Sequence, residues 1–192
     1  IVLMVDGVPL DLSLELVTRA RERGVCLIGP NSPGVISPGQ SLLGALRADF
    51  YSPGDVALIS RSGGMMTTIA YQLTQAGRGQ STCVGVGGDA VIGLDVPSAA
   101  LLAEDDPETS RVLVFGEVGT GQEERLAELV RTGAITKPVY AYVAGAAAPA
   151  GRRYSHAGAS ADGEAGGAQA KRRVLGDAGI TVLDRYIDAR EI

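Results

Sequence analysis

The sequence predicts an α/β fold, a flavodoxin-like doubly wound parallel sheet preceded by the last βαβ of a further domain. From Asp55 onward, short and continuously apolar runs alternate with stretches of helical period. Continuous apolarity marks strands buried on both faces, and helices between them make the strands parallel. Five such runs suit the doubly wound order, in which ligands gather at the carboxyl ends of the strands. The composition agrees: 45% of the 192 residues are apolar and 20% are charged, an ordinary globular balance.

Taken in order, Val2 to Val5 is an apolar run closed by Asp6-Gly7, a strand and a turn. Asp11 is placed to cap a helix over 12–23 that sets Leu12, Leu16, Val17 and Ala20 on one face and stops at Gly24. Val25-Cys26-Leu27-Ile28 follows as a second strand. One βαβ unit cannot bury both its faces, so residues 1–35 read as the end of a larger domain. Residues 36–54 read as a connector, with breakers at Ser37-Pro38-Gly39 and Ser52-Pro53-Gly54 and no clear period between them.

Residues 55–192 form the predicted sheet domain. Its strands are Val56-Ala57-Leu58-Ile59, Cys83-Val84-Gly85-Val86, Val112-Leu113-Val114-Phe115, Val139-Tyr140-Ala141-Tyr142-Val143 and Ile180-Thr181-Val182-Leu183. Met66, Ile69, Ala70 and Leu73 mark the first helix face, which ends at Gly77. A short helix over 97–104 comes next. Thr120 and Glu123 then match a capping box, ahead of a helix that carries Leu126, Leu129 and Val130 inward. A last helix spans about 167–178.

The formal charge of −5 and the lack of a basic block disfavour nucleic-acid binding. No apolar run reaches about 18 residues, so no membrane span is expected. The opening Ile-Val-Leu-Met-Val is too short for a signal peptide. Cys26 and Cys83 each lie in an apolar run, which predicts buried thiols in a reducing, cytoplasmic setting. No Cys/His cluster points to a metal.

Three stretches carry candidate chemistry. Ser60-Arg61-Ser62-Gly63-Gly64 joins a strand to a helix with small residues, which exposes the first helical N–H groups to an anion. Glu117 lies at a strand end between Gly116 and Gly119, where a carboxylate can face the crevice and hold an imidazole N–H. His156 is the single histidine, set among small residues after Arg152-Arg153. Each has a plain reading of its own: a tight turn, a solvated glutamate, a solvated loop histidine. Together they suggest a histidine that takes a phosphoryl group, which a helix start then shelters. Gly85-Val86-Gly87-Gly88-Asp89 lacks the spacing of a dinucleotide fingerprint.

These residues belong to a wider resemblance. Ile28-Gly29-Pro30-Asn31, Ser60-Arg61-Ser62-Gly63, Gly79-Gln80-Ser81-Thr82-Cys83-Val84-Gly85, Gly87-Gly88-Asp89, Asp106-Pro107-Glu108-Thr109, Gly116-Glu117, Thr136-Lys137-Pro138-Val139, Ala148-Pro149 and His156-Ala157-Gly158-Ala159 run in order along the chain. In them the sequence resembles the α subunit of succinyl-CoA synthetase, among the nucleoside-diphosphate-forming acyl-CoA synthetases and ATP-citrate lyase.

The resemblance implies that His156 is phosphorylated, that Glu117 contacts it, and that Ser62, Gly63 and Gly64 hold the phosphate. It implies coenzyme A contacts at Met4, Val5, Asp6, Asn31 and Ser32, at the end of a Rossmann-like CoA-binding domain, and acid-substrate contact at Thr67. It further implies a hetero-oligomer with a β-type ATP-grasp subunit, which binds ATP or GTP with Mg2+. The setting it implies is cytoplasmic, or the mitochondrial matrix in a eukaryote. Succinate is the default acid. Ser32 replaces the family's usual cysteine and Thr67 a tyrosine tied to the acid, while Gly64-Met65 is closer to ATP-citrate lyase. Ser155 replaces a glycine, and Ser160-Ala161-Asp162-Gly163-Glu164-Ala165-Gly166 a glycine-rich run. A related ligase with another acid, or a non-catalytic module of the same fold, are the alternatives.

Overall fold

The computed structural model describes residues 1–145 and 167–192. The alternation that begins at Asp55 builds five parallel strands: β3 (Pro53–Ser60), β4 (Gln80–Gly85), β5 (Arg111–Glu117), β6 (Val139–Ala144) and β7 (Thr181–Val182). Their spatial order is β4-β3-β5-β6-β7, the doubly wound order predicted. Two further strands extend the sheet to seven. They are β1 (Gly34–Ser37) and β2 (Ser41–Gly44), a hairpin whose second strand comes from the stretch without a clear period, and β1 pairs antiparallel to β4.

Both faces of the central strands β3 and β5 are covered, which is why their apolar runs do not alternate, whereas β6 alternates buried and half-buried residues and β7 is only partly covered. Val56 and Leu58 of β3 face α2 (Gly63–Gln75), where Met66, Ile69, Ala70 and Leu73 are buried as the period predicts. Leu183 and Ile192 at the C-terminal end complete that layer. Ala57 and Ile59 of the same strand face the other layer, built on α3 (Val96–Asp105), α4 (Gln122–Arg131) and α5 (Ala168–Asp177). Cys83 is fully buried, and burial pushes its thiol far up.

The first thirty residues differ from expectation in detail. The two predicted strands pair in parallel, but only through one bridge, Val2 to Ile28. Leu3 N donates to Ile28 O at 2.8 Å, and Ile28 N to Ile1 O at 2.9 Å. The intervening α1 (Leu10–Glu22) starts after Pro9 and has no side-chain cap; Asp11 lies inside its first turn. It buries Ser13 and Val17, while Leu12 stays 43% exposed. A pair of strands one bridge long presents too narrow a surface to cover a wide helix face. For the same reason Cys26 is exposed, not buried as predicted.

The capping box at Thr120 also resolves differently. Gly121 holds the N-cap position of α4, with no side-chain cap. Glu123 still meets Thr120, accepting from its hydroxyl at 3.3 Å, but its other oxygen accepts from Glu117 N at 3.0 Å, not from the backbone of Thr120.

Candidate functional site

The mouth of α2 is built by two serines. Ser60, fully buried at the end of β3, accepts from Ser62 N at 3.1 Å and donates to Ser62 O at 2.8 Å, which fixes the turn. Ser62 is the N-cap, and its hydroxyl accepts from Met65 N at 3.4 Å. That leaves Gly63 and Gly64 in the first turn, where backbone N–H groups have no intrahelical acceptor. Gly64 is exposed, and a Cβ there would meet nothing within 4 Å, so the mouth is open on that side. Among the described residues the helix start is shaped as an anion cradle.

A second wall comes from residues 29–33. Asn31 adopts a left-handed conformation with φ 58°, and its N–H donates to Val5 O at 2.9 Å. Its Nδ2 donates to Asp89 Oδ1 at 3.0 Å. Ser32 is 2% exposed; its hydroxyl donates to Gly85 O and accepts from Gly34 N, so that hydroxyl is committed inside the fold. Pro33 wedges between the helix start and β4, where Gly63 and Gly85 leave no room for a Cβ.

Arg61 joins these walls from behind. It is 1% exposed, donates from Nε to Gly87 O and from Nη2 to Gly88 O and Asp89 O, and lies within the fields of Glu117, Glu123 and Asp89. Burial lowers its pKa, and those carboxylates oppose the change. Its Nη1 has no hydrogen-bond partner among the described residues. In sequence this arginine reads as one more turn residue; nothing local marks it as buried.

The walls enclose an open cleft of about 620 Å³ beside the carboxyl end of β3. Met4, Asn31, Ser32, Ser62, Gly63, Gly64 and Thr67 all line it, so residues expected to meet coenzyme A, phosphate and acid are brought to one place. The sequence reading missed Arg47 and Phe50 on the rim and Tyr51 beneath it. All three come from the stretch with no period; Arg47 stacks on Phe50 at 4.6 Å, and Tyr51 shares a hydrogen bond of 3.1 Å with Thr67. Burial raises the Tyr51 pKa, against the Thr67 bond. Val5 and Asp6 are exposed and do not line the cleft. Glu117 is 8% exposed at the end of β5 and is not part of the cleft wall. His156 lies outside the described residues.

With this geometry in view, comparison with known proteins is decisive. A family model described as CoA-ligase matches residues 59–181, from the end of β3 to β7. The chain belongs to the CoA-ligase family. It is 46% identical over 192 residues to an ADP-forming succinate–CoA ligase subunit alpha 2 of Archaeoglobus fulgidus, covering all of this chain and 66% of that one. It is 39% identical over 181 residues to a malate–CoA ligase subunit alpha of Methylorubrum extorquens, covering 92% of this chain and 61% of that one. The structure superposes on an ATP citrate lyase from Methanothrix soehngenii, solved with citrate and coenzyme A. The TM-score is 0.91 at 29% identity, over 99% of this chain and 33% of the other. This CoA-ligase chain therefore spans less than two thirds of the length of its curated relatives.

Proposed function

We propose that this chain supplies the larger part of an α-type subunit of an acid–CoA ligase. The reaction joins a carboxylic acid to coenzyme A at the expense of ATP or GTP. The observation that carries the proposal is the single cleft in which Met4, Asn31, Ser62, Gly63, Gly64 and Thr67 meet. A site that must bring a thiol, a phosphate and a carboxylate together needs such convergence.

In this reading an imidazole nitrogen of His156 takes the γ-phosphoryl group and the nucleoside diphosphate leaves. The acid's carboxylate oxygen attacks phosphorus, freeing the imidazole and forming an acyl phosphate. The coenzyme A thiolate attacks the acyl carbon, and inorganic phosphate leaves. Glu117 holds the imidazole tautomer, and the Gly63 and Gly64 N–H groups with the α2 dipole hold the phosphate. Coenzyme A meets Met4, Val5, Asp6, Asn31 and Ser32, the last through its backbone and surface, since its hydroxyl is committed to Gly34 and Gly85. Residues 1–35 then end a Rossmann-like CoA-binding domain, 36–54 connect, and 55–192 form the flavodoxin-like domain.

The nucleotide and its Mg2+ belong to a β-type ATP-grasp partner in a cytoplasmic hetero-oligomer. Among the described residues no group of three or more His, Cys, Asp or Glu is arranged to hold a metal, and no helix is long and apolar enough to cross a membrane.

Succinate is the default acid. A second reading, with another acid, is favoured by Thr67, whose hydroxyl donates to Gly63 O at 3.1 Å on the cleft wall where the succinate enzymes usually carry tyrosine. The test is thioester formation by the complete subunit with its β partner, with succinate, malate, sulfoacetate and citrate offered in turn. Acyl-CoA from one of them, with release of ADP or GDP, supports the proposal. No thioester from any of them, in a complex that binds both nucleotide and coenzyme A, contradicts it.

A further inference from the structure

Glu123 and Lys171 form a buried ion pair, 2.8 Å from Nζ to Oε2, with side chains 1% and 0% exposed. Such a pair is a weak source of stability, because the cost of desolvating two charges offsets their attraction. Its geometry points elsewhere. The other oxygen of Glu123 accepts from Glu117 N at 3.0 Å. Gly116 makes the room for it, since a Cβ there would stand 2.6 Å from Glu123 Oε1. Lys171 spends its ammonium donors on Glu123, on Glu124 at 2.8 Å and on the Thr120 carbonyl. The whole 117–124 turn is thereby fastened to the start of α5.

The opposite flank is fixed as well. Gly145, one residue past β6, has φ 102° and packs on Val118, where a Cβ would lie 2.8 Å from Val118 Cγ1. In sequence, residues 145 and 167–171 bracket the stretch that carries His156. Both roots of that stretch therefore rest on the turn that begins with Glu117.

We infer that Glu123 and Lys171 are positioning residues for the phosphoryl relay. They fasten the Glu117 backbone and the start of α5 to one turn, so that the Glu117 carboxylate is presented from a fixed base. An apolar pair of equal volume could fill the space but has no acceptor for Glu117 N. The inference rests on the proposed function.

The test is the rate of His156 phosphorylation from labelled ATP in the complete complex. The Glu123→Met/Lys171→Met double variant removes both charges of the pair together with the acceptor for Glu117 N. A misplacement of about 1 Å costs on the order of 100-fold in rate, so a slowing of at least about 10-fold is expected. The half-saturating ATP concentration should stay near the parental value. A folded double variant that labels at the parental rate overturns the inference, as does a loss matched by weaker ATP binding. Should the double variant not assemble, Glu123→Met alone decides, with Lys171 still held by Glu124 and the Thr120 carbonyl: slowed labelling supports the inference and an unchanged rate overturns it. A parental complex that gives no label at all overturns the proposed function itself, and the positioning role with it.

Discussion

A Cβ on Gly63 would stand 2.8 Å from Pro33 Cγ, whereas one on Gly64 would meet nothing within 4 Å. Two adjacent glycines at one helix mouth therefore serve different ends. Gly63 lets the helix start close against the 29–33 wall, and Gly64 keeps the entrance clear. Gly63→Ala should destabilise the subunit by about 1–3 kcal/mol, the usual cost of overpacking. Gly64→Ala should leave stability unchanged or raise it by up to about 1 kcal/mol through helix propensity, yet weaken phosphate retention. Urea unfolding and phosphohistidine lifetime, measured on both variants, separate the two effects.

Ser32 links Gly34 N to Gly85 O in the buried seam between β1 and β4. Ser32→Ala strands a buried donor and a buried acceptor, which costs about 1–3 kcal/mol. Ser32→Cys should lose less, since sulfur still bonds weakly at both positions. Unfolding midpoints of the two variants should rank in that order.

Asp95 caps α3, accepting from Ser98 N at 3.0 Å and pairing with Arg125 at 2.8 Å. Burial disfavours its charge, but the Ser98 bonds and Arg125 outweigh it, and its pKa is lowered. A depressed carboxylate adds stability that is present above its unfolded pKa of about 3.9 and is lost as pH falls through the folded value. Asp95→Ala should therefore cost about 1 kcal/mol at neutral pH. The gap between parent and variant should narrow in acid, as read from unfolding curves at pH 7 and near pH 3.

Thr67 shares a hydrogen bond with Tyr51 and lines the cleft. If it touches the acid, Thr67→Val should raise the acid's KM several-fold and leave those of nucleotide and coenzyme A unchanged, since a lost hydrogen bond is worth about 1 kcal/mol. Equal changes in all three would place Thr67 in the scaffold alone.

The central strands β3 and β5 were legible because burial on both faces leaves an unbroken apolar run, and β4, β6 and β7 because shorter apolar stretches still punctuate the helices, although β4 starts at Gln80, ahead of its apolar run. The β1–β2 hairpin was not, because all four residues of β2 are exposed and carry no inside–outside alternation. Arg47, Phe50 and Tyr51 went unseen because they lie on and beside a single helical turn, Ala48–Phe50, too short to show a period. The helix mouth at Ser62 was readable as a local motif. The role of Glu123 was not: its carboxylate answers to Lys171, 48 residues away, and a capping pattern reports only its own turn. Leu12 and Cys26 misled because an apolar residue records what some surface covers, and the described residues supply only a one-bridge strand pair there.

The most direct measurement is the site of label after the complete αβ complex is exposed to ATP labelled in the γ-phosphate. The account predicts acid-labile, base-stable label on His156, discharged by ADP and lost in His156→Ala. Label on another residue, or none in a complex shown to bind ATP, contradicts it.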